Sequence, residues 1–214
     1  MTYTLAMLEE LVWDRLENNT VLYTQAEVDA IINESLSIAN MFIGFYQTTR
    51  NVSGGSVAGQ QIYAVPTGII FPVRVQFNGR QLEKTIRGQI AKQNYSWCTD
   101  TTATRGPVAD WIPFGITAFA LHPIDARGGG VIQVTGISQM PTLSPASPSP
   151  VVTLEDEDVG IISDYCAHRL PLKLPGKIFA DASELYKQFL RDIKRKTMWT
   201  RFTAPHYYIG GVGQ

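Results

Sequence analysis

Side chains able to attack, carry a proton or hold a metal are present in this chain, but their spacing gathers few of them together. The two cysteines, Cys98 and Cys166, lie far apart and outside any CxxC pattern. Neither a disulfide framework nor a zinc ribbon is expected, and both read as buried reduced thiols. The three histidines, His122, His168 and His206, are scattered and form no HExxH pattern. Cys166 and His168 stand two apart, a separation at which side chains on a helix diverge.

Acids are no better placed for catalysis. Glu155-Asp156-Glu157-Asp158 lacks the ligand spacing and central glycine of a calcium loop. Its place before an apolar-periodic segment suits the positive end of a helix dipole. Asp110, beside Trp111, and Asp125 read as loop residues without an identifiable partner. Gly128-Gly129-Gly130 is a weak phosphate-loop candidate, because a strand and not a helix should follow it. The chain has no GxSxG elbow, no GxxxxGK[ST] loop and no dinucleotide fingerprint. The expectation is a protein that is not an enzyme, with no catalytic residue, metal site or cofactor. One alternative is a carbohydrate-binding or carbohydrate-active β module, in which Trp97, Trp111 and nearby tyrosines stack on sugars.

Two features point to contacts with partners. Lys187, Arg191, Lys194, Arg195 and Lys196 form a basic stripe near the end of the last helix. They either complement that helix's C-terminus or meet an acidic partner or passing nucleic acid, and Arg201 extends the stripe. Beyond it, Trp199, Phe202, Tyr207, Tyr208 and Ile209 are too apolar for a solvated end. They either fold back on the chain's own helices or mark an interaction surface.

The elements that would position these residues follow from patterning. The chain has 214 residues, 44% hydrophobic and 17% charged, with a formal net charge of -1. That suffices for one large or two small domains and argues against a broad positive surface for nucleic acid. The first ten residues carry no basic n-region, so no secretory signal is expected. No apolar run reaches the ~20 residues that cross a bilayer. A soluble protein made in a reducing cytoplasm, without membrane contact, is predicted.

Leu5, Leu8, Leu11, Val12 and Leu16 predict a first helix over 4–17. A second begins at Thr24, whose capping box with Glu27 precedes the series from Val28 to Tyr46. Asn51 to Gly59 reads as a flexible loop. Alternation at Phe71, Val73, Val75 and Phe77 predicts a strand with one buried face, and Asn78-Gly79 turns it back into a return strand over 82–86. Further strands are expected at 95–98, 116–122 and 131–137, the last two as a hairpin around Pro123 to Gly130. Met140 to Val151 holds four prolines and three serines and reads as an extended crossover. Val159 to Leu170 and Lys177 to Met198 are then helical.

The predicted fold is α+β. Residues 1–50 and 153–198 supply a four-helix layer from both chain ends, 51–152 an inserted antiparallel β-sandwich or small barrel, and 199–214 an extended C-terminal arm.

Several features together resemble the head-to-tail adaptor (connector) proteins of tailed bacteriophages. They are the short first helix with Leu8-Glu9-Glu10-Leu11, the capped long second helix, and the β segment around Tyr63-Ala64-Val65-Pro66 and Val73-Arg74-Val75-Gln76-Phe77-Asn78-Gly79. The acidic start of the third helix with Ile161 to Leu170, the basic last helix and the C-terminal arm complete the pattern, which covers nearly the whole chain. The resemblance implies a virion structural protein at the head–tail junction, made in the host cytoplasm. It implies a homo-oligomeric ring, commonly a dodecamer, beneath the portal protein and around the DNA channel. The β domain would receive tail nozzle or tail-tube proteins, and passing DNA would be touched without specificity.

Carried onto this sequence, the portal-binding arm comprises Trp199, Arg201, Phe202, Pro205, Tyr207, Tyr208 and Ile209, and the basic stripe Lys187 to Lys196 faces the channel or a partner. Such arms, weak singly, act together on a ring. A related alternative is another phage component, of tail completion or of the baseplate.

Overall fold

The computed structural model describes residues 1–93, 97, 106–145, 151–173 and 177–203. In chain order the elements are β1 (Thr2–Tyr3), α1 (Leu5–Arg15), α2 (Gln25–Ile43), β2 (Gln47–Asn51), β3 (Ile62–Ala64) and β4 (Ile69–Phe77). There follow β5 (Arg80–Gln81), β6 (Glu83–Lys84), α3 (Arg87–Gln93), β7 (Asp110–Phe114), β8 (Ala118–His122) and β9 (Ile132–Ser138). The last are β10 (Val152–Thr153), α4 (Asp156–Arg169), a 3-10 turn (Leu170–Lys173) and α5 (Lys177–Thr203). The protein is mixed α+β and divides into two compact units, one from Met1–Tyr46 with the described chain from Met140 on, the other Gln47–Gln139. No described helix is long and apolar enough to cross a membrane.

The helical unit is organised on α4. Thr4 caps α1 by accepting from Met7 N at 3.4 Å, and Leu5, Leu8 and Val12 are buried. The α2 capping box forms as its residues predict: Thr24 N donates to Glu27 Oε2 at 2.8 Å, and Glu27 N to Thr24 Oγ1 at 3.4 Å. Gly44, at φ 74°, ends α2 in the left-handed region open to glycine. α4 is buried on nearly every side, since α1, α2 and α5 all pack on it. Val159, Ile162, Cys166 and Leu170 join a core with Leu5, Leu8 and Val12 of α1 and Val28, Ile32 and Leu36 of α2. Ile161 and Tyr165 join a second core with Ala39 and Ile43 of α2 and Phe189 and Ile193 of α5.

The crossover expected over 140–151 is in part a strap of this unit. Met140 and Leu143 are buried in its core. Asn33 on α2 receives Leu143 N at 2.7 Å and donates to Leu143 O at 3.1 Å. Residues 146–150 lie outside the described residues. The N-terminus closes the unit as a two-residue antiparallel pairing of β1 with β10.

In the β unit, sheet order is β2-β9-β4-β5 in one sheet and β3-β8-β7-β6 in the other. Val75 of β4, Ile132 and Val134 of β9, Tyr63 of β3, Trp111 of β7 and Phe119 and Leu121 of β8 share one core. The arrangement is two sheets over a common core and no closed barrel. All described pairings are antiparallel except β6 with β7. The Asn78-Gly79 turn is present, with both residues at positive φ and Phe77 opposite Arg80.

Four expectations need correction. The return strand of 82–86 divides at buried Leu82: β5 stays on β4, while β6 crosses to pair with β7. The strands near 116–122 and 131–137 are not a hairpin, because β8 and β9 belong to different sheets; β8 is the hairpin partner of β7. The β unit spans Gln47–Gln139 and not 51–152, since β2 pairs along its length with β9. Alternation in β4 does not bury one face evenly: Val75 is fully buried but Phe71 is 38% exposed. The register shifts on both sides of Pro72, which has no amide to give a ladder, and each irregularity turns the strand. Of the strand expected at 95–98, Trp97 is described and is a turn residue, and the rest lies outside the described residues.

Candidate functional site: charged faces of the helical unit

Several of the described residues with chemical potential hold the fold together. Asp125, read from sequence as partnerless, organises the glycine-rich loop. Its carboxylate accepts from Ser56 Oγ at 2.6 Å, Arg127 N at 3.0 Å and Gly128 N at 3.1 Å. Burial pushes this carboxyl up, but the Ser56 hydroxyl, the two amides and the Arg127 charge outweigh it and hold it below the ordinary value. Gly129 N donates to Ser56 O and Gly130 N to Ser56 Oγ, both at 2.7 Å. The amides of all three consecutive glycines are therefore taken within the protein. A cavity of about 570 Å³ beside them, lined by Asn78, Pro107 and Arg127, has none of these donors to offer a phosphate.

Asp110, also read as partnerless, begins β7 directly opposite His122 on β8. Its Oδ2 is 3.8 Å from His122 Nδ1, too long for a hydrogen bond. Trp97 and Trp111 are each 1% exposed. Trp97 and His122 meet in a T-shaped arrangement, ring centroids 6.4 Å apart, and Lys84 Nζ lies 5.5 Å from the centre of a Trp111 ring. Buried tryptophans present no platform for a sugar, so Trp97 and Trp111 count against the carbohydrate alternative.

Cys166 and His168 diverge as their spacing predicts. The Cys166 thiol faces Ser35 Oγ at 3.7 Å, and burial pushes it up to about 12. The His168 ring stacks on Tyr186 of α5, centroids 4.6 Å apart. Cys98 and His206 lie outside the described residues. No group of three metal-ligating side chains occurs among the described residues. The acidic run at the start of α4 instead receives a cation of the protein: Lys196 Nζ pairs with Glu155 and lies 3.7 Å from Glu157 and 3.5 Å from Asp158.

Lys196 is therefore not part of an outward basic stripe. Its side chain is 14% exposed, because it lies one residue off the repeat that carries the others outward. Lys187, Arg191, Lys194 and Arg195 remain exposed on α5. Lys187 and Arg191 pair with Glu184 at 3.1 and 3.5 Å, and Arg195 with Asp192 at 3.6 Å. Such solvated pairs contribute little.

The expected arm also changes. Trp199, Arg201 and Phe202 belong to the backbone of α5, which runs to Thr203, so no extended arm starts at 199. Nothing between Met198 and Thr203 breaks a helix, the first proline after Met198 in the sequence being Pro205. Pro205, Tyr207, Tyr208 and Ile209 lie outside the described residues.

One surface was missed from sequence. The spacing assigns Leu11 to the buried stripe of α1, yet it is 40% exposed, beside Met7 at 45%. With exposed Glu10 and Asp14 they stand at i, i+3, i+4 and i+7, one face of the helix. Glu17, Leu22 and Val21, the last 92% exposed, follow in the connection to α2. The usable signal was Met7, which cannot share the core-facing stripe of Leu5, Leu8 and Val12. No protein-family model matches this sequence, and no curated protein matches it.

Proposed function

We propose that this chain is a non-enzymatic virion structural protein, a head-to-tail adaptor of a tailed bacteriophage that forms a ring beneath the portal and around the DNA channel. The observation that carries the reading is a helical unit assembled from both ends of the chain with Gln47–Gln139 carried between them. The capped α2, the acidic start of α4 and the cationic α5 add to it. In this reading, the four helices α1, α2, α4 and α5 form the layer in which neighbouring copies touch. The chain beyond α5 docks the portal, and the β unit meets tail components. Each docking contact is weak alone and strong in a ring, because one engaged subunit raises the local concentration of the others.

The test is to image the purified protein alone and with its cognate portal. A closed ring on the portal is expected, with monomers or weak oligomers in its absence. Deleting Ala204 to Gln214 should abolish docking while the far-ultraviolet circular dichroism stays that of the full chain. Docking by the truncated protein at full strength would overturn the role given to the chain end.

A further inference from the structure

Two helices of the helical unit present outward stripes of opposite character. On α1 the stripe is Met7, Glu10, Leu11 and Asp14, continued by Glu17, Val21 and Leu22, all exposed. On α5 it is Lys187, Arg191, Lys194 and Arg195, also exposed, at i, i+4, i+7 and i+8. Glu10 and Asp14 are one helical turn apart, as are Lys187 and Arg191, and Arg191 and Arg195. Charges on both stripes thus recur about 6 Å apart along the helix axis. Among the described side chains of that α5 face and its edges, four cations meet two carboxylates, Glu184 and Asp192, so its net sign is positive. On α1 the exposed acids Glu10, Asp14 and Glu17 stand beside one exposed cation, Arg15, which pairs with Asp164 of α4, so the stripe is net negative.

The two stripes lie on separate helices, both packed on α4. α4 lies between their helices, giving Val159, Ile162 and Cys166 to the core shared with α1, and Ile161 and Tyr165 to the core shared with α5. The exposed faces of α1 and α5 therefore point away from α4 in different directions.

We infer that this protein binds a second copy of itself head to tail, the acidic and apolar α1 stripe of one copy lying along the basic α5 stripe of the next. The inference deepens the adaptor reading and rests on it for closure into a ring. Pairing like stripes would set acid against acid or base against base, which costs affinity. Unlike stripes attract, and because they lie on different faces the contact leaves one of each free for a further copy. Repetition of such a contact gives a ring when the rotation closes. Met7, Leu11 and Leu22 supply apolar surface at its centre, and the methylene stems of Lys187, Arg191 and Lys194 can cover it while their charges reach the acids.

The test uses the full chain and sedimentation equilibrium. Self-association should weaken at least ~10-fold between about 0.05 and 0.5 M salt, as solvated charge pairs are screened. Glu10→Lys with Asp14→Lys should weaken it by ~10-fold or more, and so should Lys187→Glu with Arg191→Glu and Lys194→Glu. Mixing the two charge-reversed proteins should restore association, and carrying both reversals in one chain should restore it to within ~3-fold of the parent. Restoration separates charge pairing from damage to the fold. If each reversal leaves association unchanged, or neither the mixture nor the combined variant recovers it, the inference is wrong. Portal docking by chains that ignore these reversals would overturn the stripe contact and leave the adaptor reading standing. Rescue by combined reversal without any portal docking would do the opposite.

Discussion

Lys196, near the end of α5, places its ammonium against the carboxylates that open α4, 3.5 Å from the buried Asp158. The same Asp158 receives the Glu155 amide on its other oxygen at 3.1 Å, so one side chain both caps α4 and ties it to α5. Lys196→Met should destabilise the protein by about 2–3 kcal/mol, because it leaves a buried carboxylate without its cation. Burial alone would lower the Lys196 ammonium, but Glu155, Asp158 and Glu157 outweigh it and raise it above 10.5. Hydrogen bonding to Lys196 and its charge hold Glu155 below 4.5. The raised lysine stabilises below 10.5 and loses that contribution as pH rises through its folded value. The lowered carboxylate stabilises above 4.5 and loses its contribution as pH falls. Urea midpoints should therefore differ most between parent and variant in the neutral range and converge in acid.

Arg15 pairs with Asp164, whose side chain is only 5% exposed. Burial raises this carboxyl above 3.8 despite Arg15, and Asp192 adds to the rise. Arg15→Ala should cost about 1–2 kcal/mol at neutral pH, since solvent reaches the guanidinium while Asp164 is buried, and raise Asp164 further. A raised carboxyl stabilises fully below its unfolded value and loses that contribution as pH rises through its folded one. The deficit of the variant, measured by urea unfolding, should shrink on acidification. A deficit that is flat with pH would show that Asp164 is not the group left unpaired.

The Ser56–Asp125 bond closes the glycine-rich loop of the β unit. Ser56→Ala removes one donor to Asp125 and strands the Gly130 amide, and should cost about 1–3 kcal/mol. Asp125→Asn should cost a similar amount at neutral pH. Since the folded carboxyl is held below 3.8, its contribution is present above that value and lost as pH falls. The gap between parent and Asp125→Asn should accordingly close in acid, as read by thermal melts.

Cys166 should resist alkylation. With a thiol pushed up to about 12 and no exposed surface, its thiolate fraction at about pH 8 is on the order of 10⁻⁴. Iodoacetamide followed by peptide mapping should leave Cys166 unmodified in the native protein and label it in urea. Labelling at native rates equal to those of a free thiol would contradict the packing of α4.

What the sequence made legible was local. Thr24 and Glu27 announce α2 because both partners of the capping box lie within one turn, and Asn78-Gly79 announces its hairpin because the backbone requirement is held by the two residues themselves. The stripe of Leu5, Leu8 and Val12 is read from spacing alone. What escaped depends on partners far along the chain. β2 reads Gln-Thr-Thr-Arg-Asn, which has no apolar alternation, and exists through its ladder with β9. β7 contains Pro113, which demotes it as a strand; the structure accommodates it because β6 pairs only with Asp110 and Trp111, leaving Pro113 no ladder on that side from β6. Asp125 and Lys196 appeared as a loop acid and a dipole complement, since Ser56 and Asp158 are brought to them only by the fold. Leu11 counted as core because a three-or-four spacing admits neighbours that the helix turns outward.

The pairing of Met1 with Leu154, 153 residues apart in the chain, has a consequence for the order of events at the ribosome. The helical unit is begun before the β unit and completed after it. α1 and α2 leave the exit tunnel with Leu8, Val28, Ile32 and Leu36 uncovered, and the residues that cover them, Val159, Ile162, Cys166 and Leu170, emerge only after Gln47–Gln139 has been made. Closing so long a loop costs entropy before its contacts repay it. A nascent chain halted before Asp156 should therefore offer its first two helices to proteases and chaperones, and the finished chain should withdraw them.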